Sequence, residues 1–439
     1  MTQVHEVQRQ HGLLPGTRRR PRVVVVGGGF GGLSAAKALR RTEVEVMLLD
    51  QNGYNTFQPL LYQVATGGLN PGDVTYALRA FAGRYRNVRF QRRKVTGIDF
   101  DNKRVRVEGG EPFGYDYLVL CPGVAANYFG VPGAEENSMV MYSRSGAIQV
   151  RDHVMASLEA AAQGRPEAPE PVVVIVGGGA TGVEMAGALA ELRNIGIPLS
   201  YPELTLDRVR VVLVEMSPHV LGPFAEPLRE YSAAALRKRG VELRLNTAVR
   251  EVGPDYVVIG DGEKIPSAVT VWATGVSAAP VVGDWGLPTG RGGRILVEPD
   301  LQVQGHPGVF AVGDAAVDPD SPLPQLAPPA MQGGVHVAKQ IQRLIAGEPT
   351  EPFHYNDRGT MATIGRSDAV VQLPFGLRLK GLVAWLAWVF LHVMELIGNR
   401  NRFATIANLS VHYLSWPRAL NVIVGDVPTQ EDSRGSNPS

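Results

Sequence analysis

The chain carries the same glycine pattern twice, 150 residues apart. Each copy begins with a run of valines, continues as G-x-G-x-x-G, and leads into an Ala- and Leu-rich stretch with helical spacing. A continuous Val/Ile run is typical of a buried parallel strand, so each copy predicts a strand, a tight turn and a helix. In such a turn the first glycine bends the chain, the second lets the backbone approach a pyrophosphate, and the third lets helix and strand pack closely. The predicted turn glycines are Gly27, Gly29 and Gly32 in the first copy, and Gly177, Gly179 and Gly182 in the second.

An acidic residue closes the strand that follows each turn. Asp50 ends the segment VEVMLLD, and Glu215 ends VRVVLVE. A carboxylate in this position accepts hydrogen bonds from a ribose diol and repels a 2′-phosphate, so Glu215 favours NADH over NADPH. Either acid alone also fits a solvated strand end, but its pairing with a glycine turn favours nucleotide binding. Residues 194–208 are predicted to be an inserted loop, which accounts for the longer spacing before Glu215.

Two dinucleotide sites in one chain predict a permanently held flavin that faces a transient nicotinamide. A flavin accepts hydride from a nicotinamide and passes electrons on, so FAD and NADH are the expected pair. The single cysteine, Cys121, cannot form a redox-active pair, which excludes disulfide-reductase chemistry. The net charge of +1 argues against nucleic-acid binding, and the nine histidines lack metal-ligand spacing, so no metal is expected.

Later segments are predicted to complete the two sites. Residues 117–123 and 269–275 are interpreted as return strands of the two nucleotide-binding units, each ending in a glycine turn. Another apolar strand ends at Gly313 and Asp314, and this carboxylate is placed to accept a ribityl hydroxyl or to hold a water on a phosphate. The alternative is an aspartate that caps the next helix. Residues 327–345 predict a helix whose positive N-terminal end would stabilise an anionic reduced flavin.

The C-terminal part, residues 373–420, is unusually apolar for a soluble enzyme. Its core at residues 381–397 would form about 26 Å of helix, marginal for a hydrocarbon layer of roughly 30 Å. Basic residues flank this core, and a second apolar helix is predicted over residues 403–416. The pattern favours helices lying in one leaflet, and a buried dimer or domain interface is the alternative. A membrane anchor beside a flavin implies a quinone acceptor.

The predicted faces of the first C-terminal helix are as follows. A polar stripe comprises Trp388, His392, Glu395 and Asn399, and the opposite apolar face comprises Leu382, Trp385, Leu386, Val389, Val393 and Leu396. The side chains expected at the depth of the lipid headgroups are Trp385, Trp388 and Trp416.

Seven segments together resemble a known family, the membrane-associated type II NADH:quinone oxidoreductases. They are spread over residues 22–425 and read VVVVGGGFGGLSAA, FQPLLYQVATGGL, YDYLVLCPG, NYFGVPGAEE, GGGATGVEMAGALAEL, VFAVGDAA and LKGLVAWLAWVFLHVMELIGNRNRF. The last segment matters most, because soluble relatives that reduce small electron-transfer proteins lack it. Sulfide:quinone reductases also associate with membranes, but they use a cysteine pair that this chain does not have.

The resemblance implies roles for particular residues. In the family, a glutamate that follows the third glycine of the NADH turn lies near the quinone pocket and is implicated in proton supply; here it is Glu184. The family segment AQxAxQ is matched by Ala327, Pro328, Ala330 and Gln332, so that Gln332 is the implied quinone and flavin contact, although the residues alone predict an ordinary surface side chain. The further implied cofactor contacts are Phe30, Gly31, Gly123, Ala330, Thr274 and Gly275.

The expected protein is an α/β flavoprotein with two Rossmann-like domains and a C-terminal amphipathic helical module. Its expected activity is NADH:quinone oxidoreduction without proton pumping, with non-covalent FAD, at the cytoplasmic face of the membrane; a homodimer through the C-terminal module is an option. The alternatives are a soluble NADH-dependent reductase for another acceptor and a non-catalytic NADH-sensing flavoprotein. The expected boundaries are a tail at 1–21, FAD domain at 22–150 and 290–350, NADH domain at 151–289, membrane module at 351–425 and tail at 426–439.

Overall fold

The structure is a computed structural model that describes residues 19–164 and 170–414, with side chains up to residue 410. Its strands are β1 (Arg22–Val26), β2 (Glu45–Asp50), β3 (Tyr54–Thr56), β4 (Thr75–Ala77), β5 (Val88–Arg92), β6 (Val95–Asp99), β7 (Arg104–Val107), β8 (Phe113–Gly114), β9 (Tyr117–Leu120), β10 (Val124–Ala126), β11 (Val172–Val176), β12 (Arg210–Val214), β13 (Val241–Arg244), β14 (Val249–Val252), β15 (Tyr256–Ile259), β16 (Glu263–Pro266), β17 (Val269–Trp272), β18 (Val276–Ala278), β19 (Ile295–Leu296), β20 (Val309–Ala311), β21 (Ala316–Val317), β22 (Thr360–Thr363), β23 (Ala369–Gln372) and β24 (Arg378–Lys380). Its α-helices are α1 (Phe30–Ala38), α2 (Leu61–Ala65), α3 (Leu78–Ala82), α4 (Ala134–Asn137), α5 (Arg144–Ala162), α6 (Ala180–Glu191), α7 (Ile197–Ser200), α8 (Glu226–Lys238), α9 (Ala327–Ile345), α10 (Gly381–Glu395) and α11 (Asn399–Leu414).

Two parallel sheets carry the repeated glycine pattern. The first has the strand order β20-β9-β1-β2-β5, and the second has the order β13-β12-β11-β17. In both sheets the valine strand, β1 or β11, lies between the strand that ends at the acid and the return strand. These valine strands are buried along most of their length, because helices cover both faces of a parallel sheet. The predicted strand–turn–helix units and the α/β fold are confirmed.

The C-terminal segment packs on the second sheet unit. The antiparallel sheet β22-β23-β24 leads into α10, and the backbone of Ile364 lies directly against Gly187 of α6. A Cβ at Gly187 would stand 2.5 Å from the carbonyl carbon of Ile364, so only glycine permits this contact. Ala384 and Trp388 of α10 belong to the same hydrophobic core as α6. The C-terminal elements are therefore built into the body of the protein.

The prediction of a loop over residues 194–208 is wrong for the first part of this segment, which is helical. Helix α6 continues through a π-helical turn at Leu192–Gly196 into α7. Arg193 donates hydrogen bonds to the carbonyl oxygens of Leu206 and Val209, and Ile197 is buried in the core. These contacts keep the chain helical where the spacing before Glu215 indicated an inserted loop. The helix predicted over residues 327–345 is confirmed as α9.

The C-terminal helices also differ from their prediction. Helix α10 ends at Glu395, and Gly398, with a φ of +89°, separates it from α11, which begins at Asn399 rather than at residue 403. Trp416 lies outside the described residues. In residues 19–164 and 170–414, the helices are all too short or too polar to cross a bilayer.

The orientation of α10 corrects the predicted faces. Trp388 of the predicted polar stripe is only 2% exposed and points into the core, so it does not lie at headgroup depth, and Val393 and Leu396 of the predicted apolar face are buried as well. The reason is that aromatic side chains from the rest of the protein pack against this side of the helix. The apolar side chains of α10 and α11 that remain between 48% and 72% exposed are Leu382, Val383, Leu386, Phe390, Met394, Phe403 and Ile406.

Candidate functional site

The first glycine turn joins β1 to α1 and leaves one of its glycines open. A Cβ at Gly27, where φ is +101°, would stand 2.0 Å from the carbonyl oxygen of Cys121, and one at Gly32 would stand 1.9 Å from that of Gly27. A Cβ at Gly29 would meet no atom of the described chain within 4 Å. Gly29 is also the N-cap of α1, and no described side chain caps that end. The turn therefore presents free backbone N–H groups to open space, as an anion site requires.

The second turn, between β11 and α6, repeats this geometry. Gly177 has a φ of +110°, and a Cβ at Gly182 would stand 1.9 Å from its carbonyl oxygen. Around Gly179, the N-cap of α6, the described residues again leave the Cβ position open to 4 Å. In each copy the Cβ positions of the first and third glycines are thus blocked and that of the second is open, which fits the different roles predicted for them.

Each predicted acid is tied to its glycine turn. Asp50 Oδ2 accepts a 2.6 Å hydrogen bond from the backbone N–H of Gly28, and Glu215 Oε2 accepts one of the same length from Gly178. Burial raises the pKa of Asp50, while the N–H groups of Gly28 and Asn52 oppose the shift. The acids are therefore not solvated strand ends. Their hydrogen bonds to Gly28 and Gly178 hold the turns in shape.

A cleft of about 1920 Å³ connects the first glycine turn with α10. The predicted site residues that line it are Gly27, Gly29, Phe30, Gly31, Asp50, Gly123, Glu184, Gly313, Asp314, Ala330 and Gln332. Those that lie outside its lining are Gly32, Gly177, Gly179, Gly182, Glu215, Thr274 and Gly275. Apart from Gly32, the structure thus gathers the first-copy residues around one cavity, and the second copy reaches it through the first turns of α6.

The residues that line the cleft near the first glycine turn fit a dinucleotide such as FAD. The open position at Gly29 is a cradle that a Cβ would fill, and Gly123, with a φ of +75°, is free of described atoms within 4 Å of its Cβ position. Burial raises the pKa of Asp314 to about 6, and the Arg294 guanidinium opposes the shift. The Asp314 carboxylate is therefore mostly ionised at neutral pH and available as an acceptor for a sugar hydroxyl. Among the described side chains, no group of three His, Cys, Asp or Glu could hold a metal ion.

Glu184 lies in the wall of the cleft at the buried contact between α6 and β22. Its Oε1 accepts a 3.3 Å hydrogen bond from the backbone N–H of Thr363. Burial raises the pKa of Glu184 to about 8, with the Thr363 N–H and the Trp388 indole opposing the shift. The carboxyl group is therefore predominantly protonated at pH 7 and is a hydrogen-bond donor. The Thr363 hydroxyl in turn donates to the Tyr62 oxygen at 3.1 Å.

An aromatic cluster forms the part of the cleft beside α10. It consists of Phe30, Phe57, Tyr62, Trp388 and His392, joined by ring-centroid distances of 3.9 to 6.2 Å. Sequence reasoning assigned no role to Phe57, Tyr62 or Thr363. The sequence feature that could have pointed to Phe57 and Tyr62 is the segment FQPLLYQ, which contains both and belongs to the segments that resemble the family.

The comparisons with known proteins agree on one assignment. A family model described as pyridine nucleotide-disulphide oxidoreductase matches residues 21–334, and one described as NDH2 C-terminal domain matches residues 358–415. The type II NADH:quinone oxidoreductase NdhA of Mycobacterium tuberculosis is 36% identical over 427 residues, which cover 93% of this chain and 90% of that protein. The chain belongs to the type II NADH:quinone oxidoreductase family. A Staphylococcus aureus member is 32% identical over 376 residues, 82% of this chain and 92% of its own length.

The fold of a solved NDH2 agrees as well. The structure of NDH2 from Plasmodium falciparum in complex with NADH superposes with a TM-score of 0.84 at 17% identity, and the match covers 91% of this chain and 99% of that chain. The protein described here differs from disulfide reductases of the wider family in having Cys121 as its one cysteine. Burial raises the pKa of this thiol to about 12, so it is not a reactive thiolate.

Gln332 of this type II NADH:quinone oxidoreductase lines the cleft, but its amide is engaged. Its Nε2 donates to the carbonyl oxygen of Asn356 at 2.9 Å, and its Oε1 accepts from the Asn356 N–H at 3.0 Å. The side chain therefore holds the extended segment before β22 against α9. Pro328, which replaces the first glutamine of the family segment, lies in the first turn of α9, where a missing N–H costs no helical hydrogen bond.

Proposed function

We propose that this protein oxidises NADH and reduces a membrane quinone through FAD held in the cleft. The observation that carries the proposal is the continuity of one cleft from the first glycine turn, past Glu184, to the side chains of α10. FAD, when bound, supplies the ability to accept a hydride from NADH and to deliver two electrons to a quinone. The domain assignment goes with it: 22–150 and 290–350 for FAD, 151–289 for NADH and 351–425 for membrane contact.

The glycine turns bind the two dinucleotides. The N–H groups around Gly29 hold the FAD pyrophosphate, and the Asp50 and Asp314 carboxylates accept hydrogen bonds from its sugar hydroxyls. The turn at Gly179 holds the pyrophosphate of NADH. Glu215 orients the ribose diol of NADH and repels a 2′-phosphate.

Glu184 supplies a proton to the quinone. Quinone reduction consumes two protons, and a carboxyl group that is still protonated at pH 7 donates one from its Oε atom. The Thr363 N–H bonded to Oε1 orients the carboxyl group and stabilises the carboxylate that remains. The buried wall around Glu184 keeps bulk water away from this transfer.

Anaerobic stopped-flow spectroscopy tests the proposal. The purified holoprotein, mixed with NADH, is expected to lose its oxidised-flavin absorbance within one turnover, and a second mixing with duroquinone is expected to restore it. Replacing duroquinone by a soluble ferredoxin is expected to leave the flavin reduced. Failure of NADH to bleach the flavin contradicts the oxidoreductase assignment, and bleaching without reoxidation by the quinone contradicts the acceptor.

Membrane attachment rests on the outward apolar face of α10 and α11. Besides the exposed side chains of these helices, Phe375 at the tip of the β23–β24 hairpin is 92% exposed. Exposed basic side chains, Arg378, Lys380 and Arg400, lie next to these elements and complement anionic headgroups. We infer peripheral attachment at the cytoplasmic face, where NADH is available. A homodimer through the same C-terminal face is the competing use of this surface.

The variant Val383→Asp with Phe403→Asp is expected to lose vesicle binding. Both side chains are more than 60% exposed, so the body of the protein does not need them. Burial of one such side chain in lipid contributes about 1.5–3 kcal/mol, so sedimentation with phosphatidylcholine–phosphatidylglycerol vesicles should weaken at least roughly tenfold. The matched control is Leu199→Asp, on α7 and 57% exposed, which should bind normally. Intact vesicle binding combined with conversion of dimers to monomers would assign the face to dimerisation instead.

A further inference from the structure

The imidazole of His392 is held in one orientation in the wall of the cleft. Its ring stacks on the Trp388 indole with centroids 3.9 Å apart and planes inclined by 19°, and it meets the edge of Phe57 at 6.2 Å. Its Nδ1 lies 2.8 Å from the Trp388 carbonyl oxygen, one helical turn earlier in α10. His392 is also part of the cleft lining. The ring is thus fixed by three contacts, and His392 borders the cavity.

These contacts specify which nitrogen carries the hydrogen. A carbonyl oxygen only accepts hydrogen bonds, so Nδ1 must be the donor, and in the neutral ring Nε2 then carries a lone pair. Burial lowers the pKa of His392 to about 4, which keeps the imidazole neutral at pH 7. Nε2 is therefore a fixed acceptor that cannot donate a proton.

Glu184, whose carboxyl group also interacts with the Trp388 indole, has the opposite character. Its carboxyl group is protonated at pH 7 and donates, whereas His392 Nε2 accepts. A quinone has two carbonyl oxygens that only accept, but each hydroxyl of a quinol can also donate. An acceptor in the wall therefore interacts favourably with the reduced product and unfavourably with a quinone oxygen. This asymmetry separates two ligands of nearly identical shape.

We propose that His392 Nε2 accepts a hydrogen bond from a hydroxyl of the bound quinol, so that this enzyme binds its product selectively and slows as the quinol pool fills. The inference rests on the proposed function, in which quinone is reduced at this end of the cleft. His392 is thus a product-recognition residue, distinct from the proton donor. The strength of inhibition by the quinol would then depend on this one hydrogen bond.

The test compares inhibition by durohydroquinone with the KM for duroquinone in steady-state NADH oxidation by the holoprotein. His392→Phe keeps the ring stacking but removes the acceptor. Its inhibition constant for durohydroquinone is expected to rise about five- to tenfold, the effect of losing one neutral hydrogen bond, while the KM for duroquinone stays equal or falls. In His392→Gln, an amide oxygen replaces the Nε2 acceptor and is expected to restore inhibition to within about twofold of wild type.

The matched control is His153→Phe. His153 is also a helical histidine whose Nδ1 lies 2.8 Å from the carbonyl oxygen one turn earlier, that of Gln149, but it does not line the cleft. Both constants should stay unchanged in this variant. If His392→Phe fails to retain flavin, His392→Leu takes its place, with the rate of flavin reduction by NADH as the check on folding.

A purely structural role would raise the KM and the inhibition constant together, and that result overturns the inference. An unchanged inhibition constant in His392→Phe overturns it as well. Both results leave the proposed function intact, because the wild-type protein still reduces duroquinone. If the wild-type protein does not reduce duroquinone, the proposed function fails and the inference fails with it.

Discussion

Glu184→Gln is expected to slow quinone reduction by at least about 100-fold, the lower end of the effect of removing a positioned general acid. The amide keeps an oxygen to accept the Thr363 N–H, but its own N–H groups are not acidic enough to transfer a proton. Flavin reduction by NADH should stay within about twofold, because this half-reaction needs no proton from Glu184. Stopped-flow measurement of both half-reactions checks the prediction, and equal losses in the two would contradict the assigned role.

The pH dependence follows from the same carboxyl group. Because the pKa of Glu184 is raised to about 8, quinone reduction by the wild-type protein should fall as the pH rises through about 8, whereas Glu184→Gln should be flat there. The folded pKa lies above the ordinary value of 4.5, so the folded state binds the proton more tightly than the unfolded state. Its contribution to the free energy of unfolding is therefore complete below pH 4.5 and is lost as the pH rises towards 8. Urea titrations should show this loss in the wild type and a smaller one in the variant.

The matched control is Glu191→Gln. Glu191 lies seven residues further along α6, and burial raises its pKa to about 7 against the opposing Arg366 backbone N–H. It does not line the cleft, so its replacement should change the pH dependence of stability but leave quinone reduction within about twofold. A large loss of quinone reduction in this control would mean that charge anywhere on α6, and not proton supply by Glu184, governs the rate.

Gly29→Ala is expected to give a folded protein that has lost its FAD. The described atoms leave room for the new Cβ, and the backbone at this position, with a φ of −79°, accepts alanine without strain. The methyl group would instead occupy the space of the pyrophosphate, so affinity for FAD should fall at least about 100-fold, or roughly 2.7 kcal/mol. Retained flavin, measured by absorbance against protein after desalting, checks the result, and circular dichroism checks the fold.

Substitutions at two further glycines test cofactor binding and folding separately. Gly32→Ala would place its Cβ 1.9 Å from the carbonyl oxygen of Gly27, so it should destabilise the fold itself. Gly72→Ala, at a position that is open in the described structure and outside the cleft, should leave both flavin content and stability unchanged. Full retention of FAD in Gly29→Ala would contradict the proposed pyrophosphate site.

The glycine turns and their acids were predictable from the sequence because each depends on residues that are close together in the chain. The third glycine of each turn lies against the carbonyl oxygen of the first, five residues earlier, so the spacing alone demands it. The acids at Asp50 and Glu215 follow their strands directly, and any parallel sheet brings strand ends and turns together. Helix α9 was predictable because Pro328 and Pro329 suit the first turn of a helix.

The part of the site around Glu184 depends on distant segments. Thr363 lies 179 residues after Glu184 and 301 after Tyr62, yet the three are linked by hydrogen bonds. The raised pKa of Glu184 comes from burial under β22, which no residue near Glu184 predicts. In the same way, the amide of Gln332 is occupied by the backbone of Asn356, a contact that motif matching does not reveal.

The amino-acid order by itself determined two glycine turns after buried strands, the acids that follow them and an apolar C-terminal helix, since each depends on residues that are close together in the chain. The tertiary structure alone decided which face of α10 points inward. Periodicity separates a helix into faces but does not say what each face meets. Here the body presents Phe57 and Tyr62 to α10, and the planar rings of Trp388 and His392 pack against them, so the side that carries Leu382, Leu386 and Phe390 is left exposed.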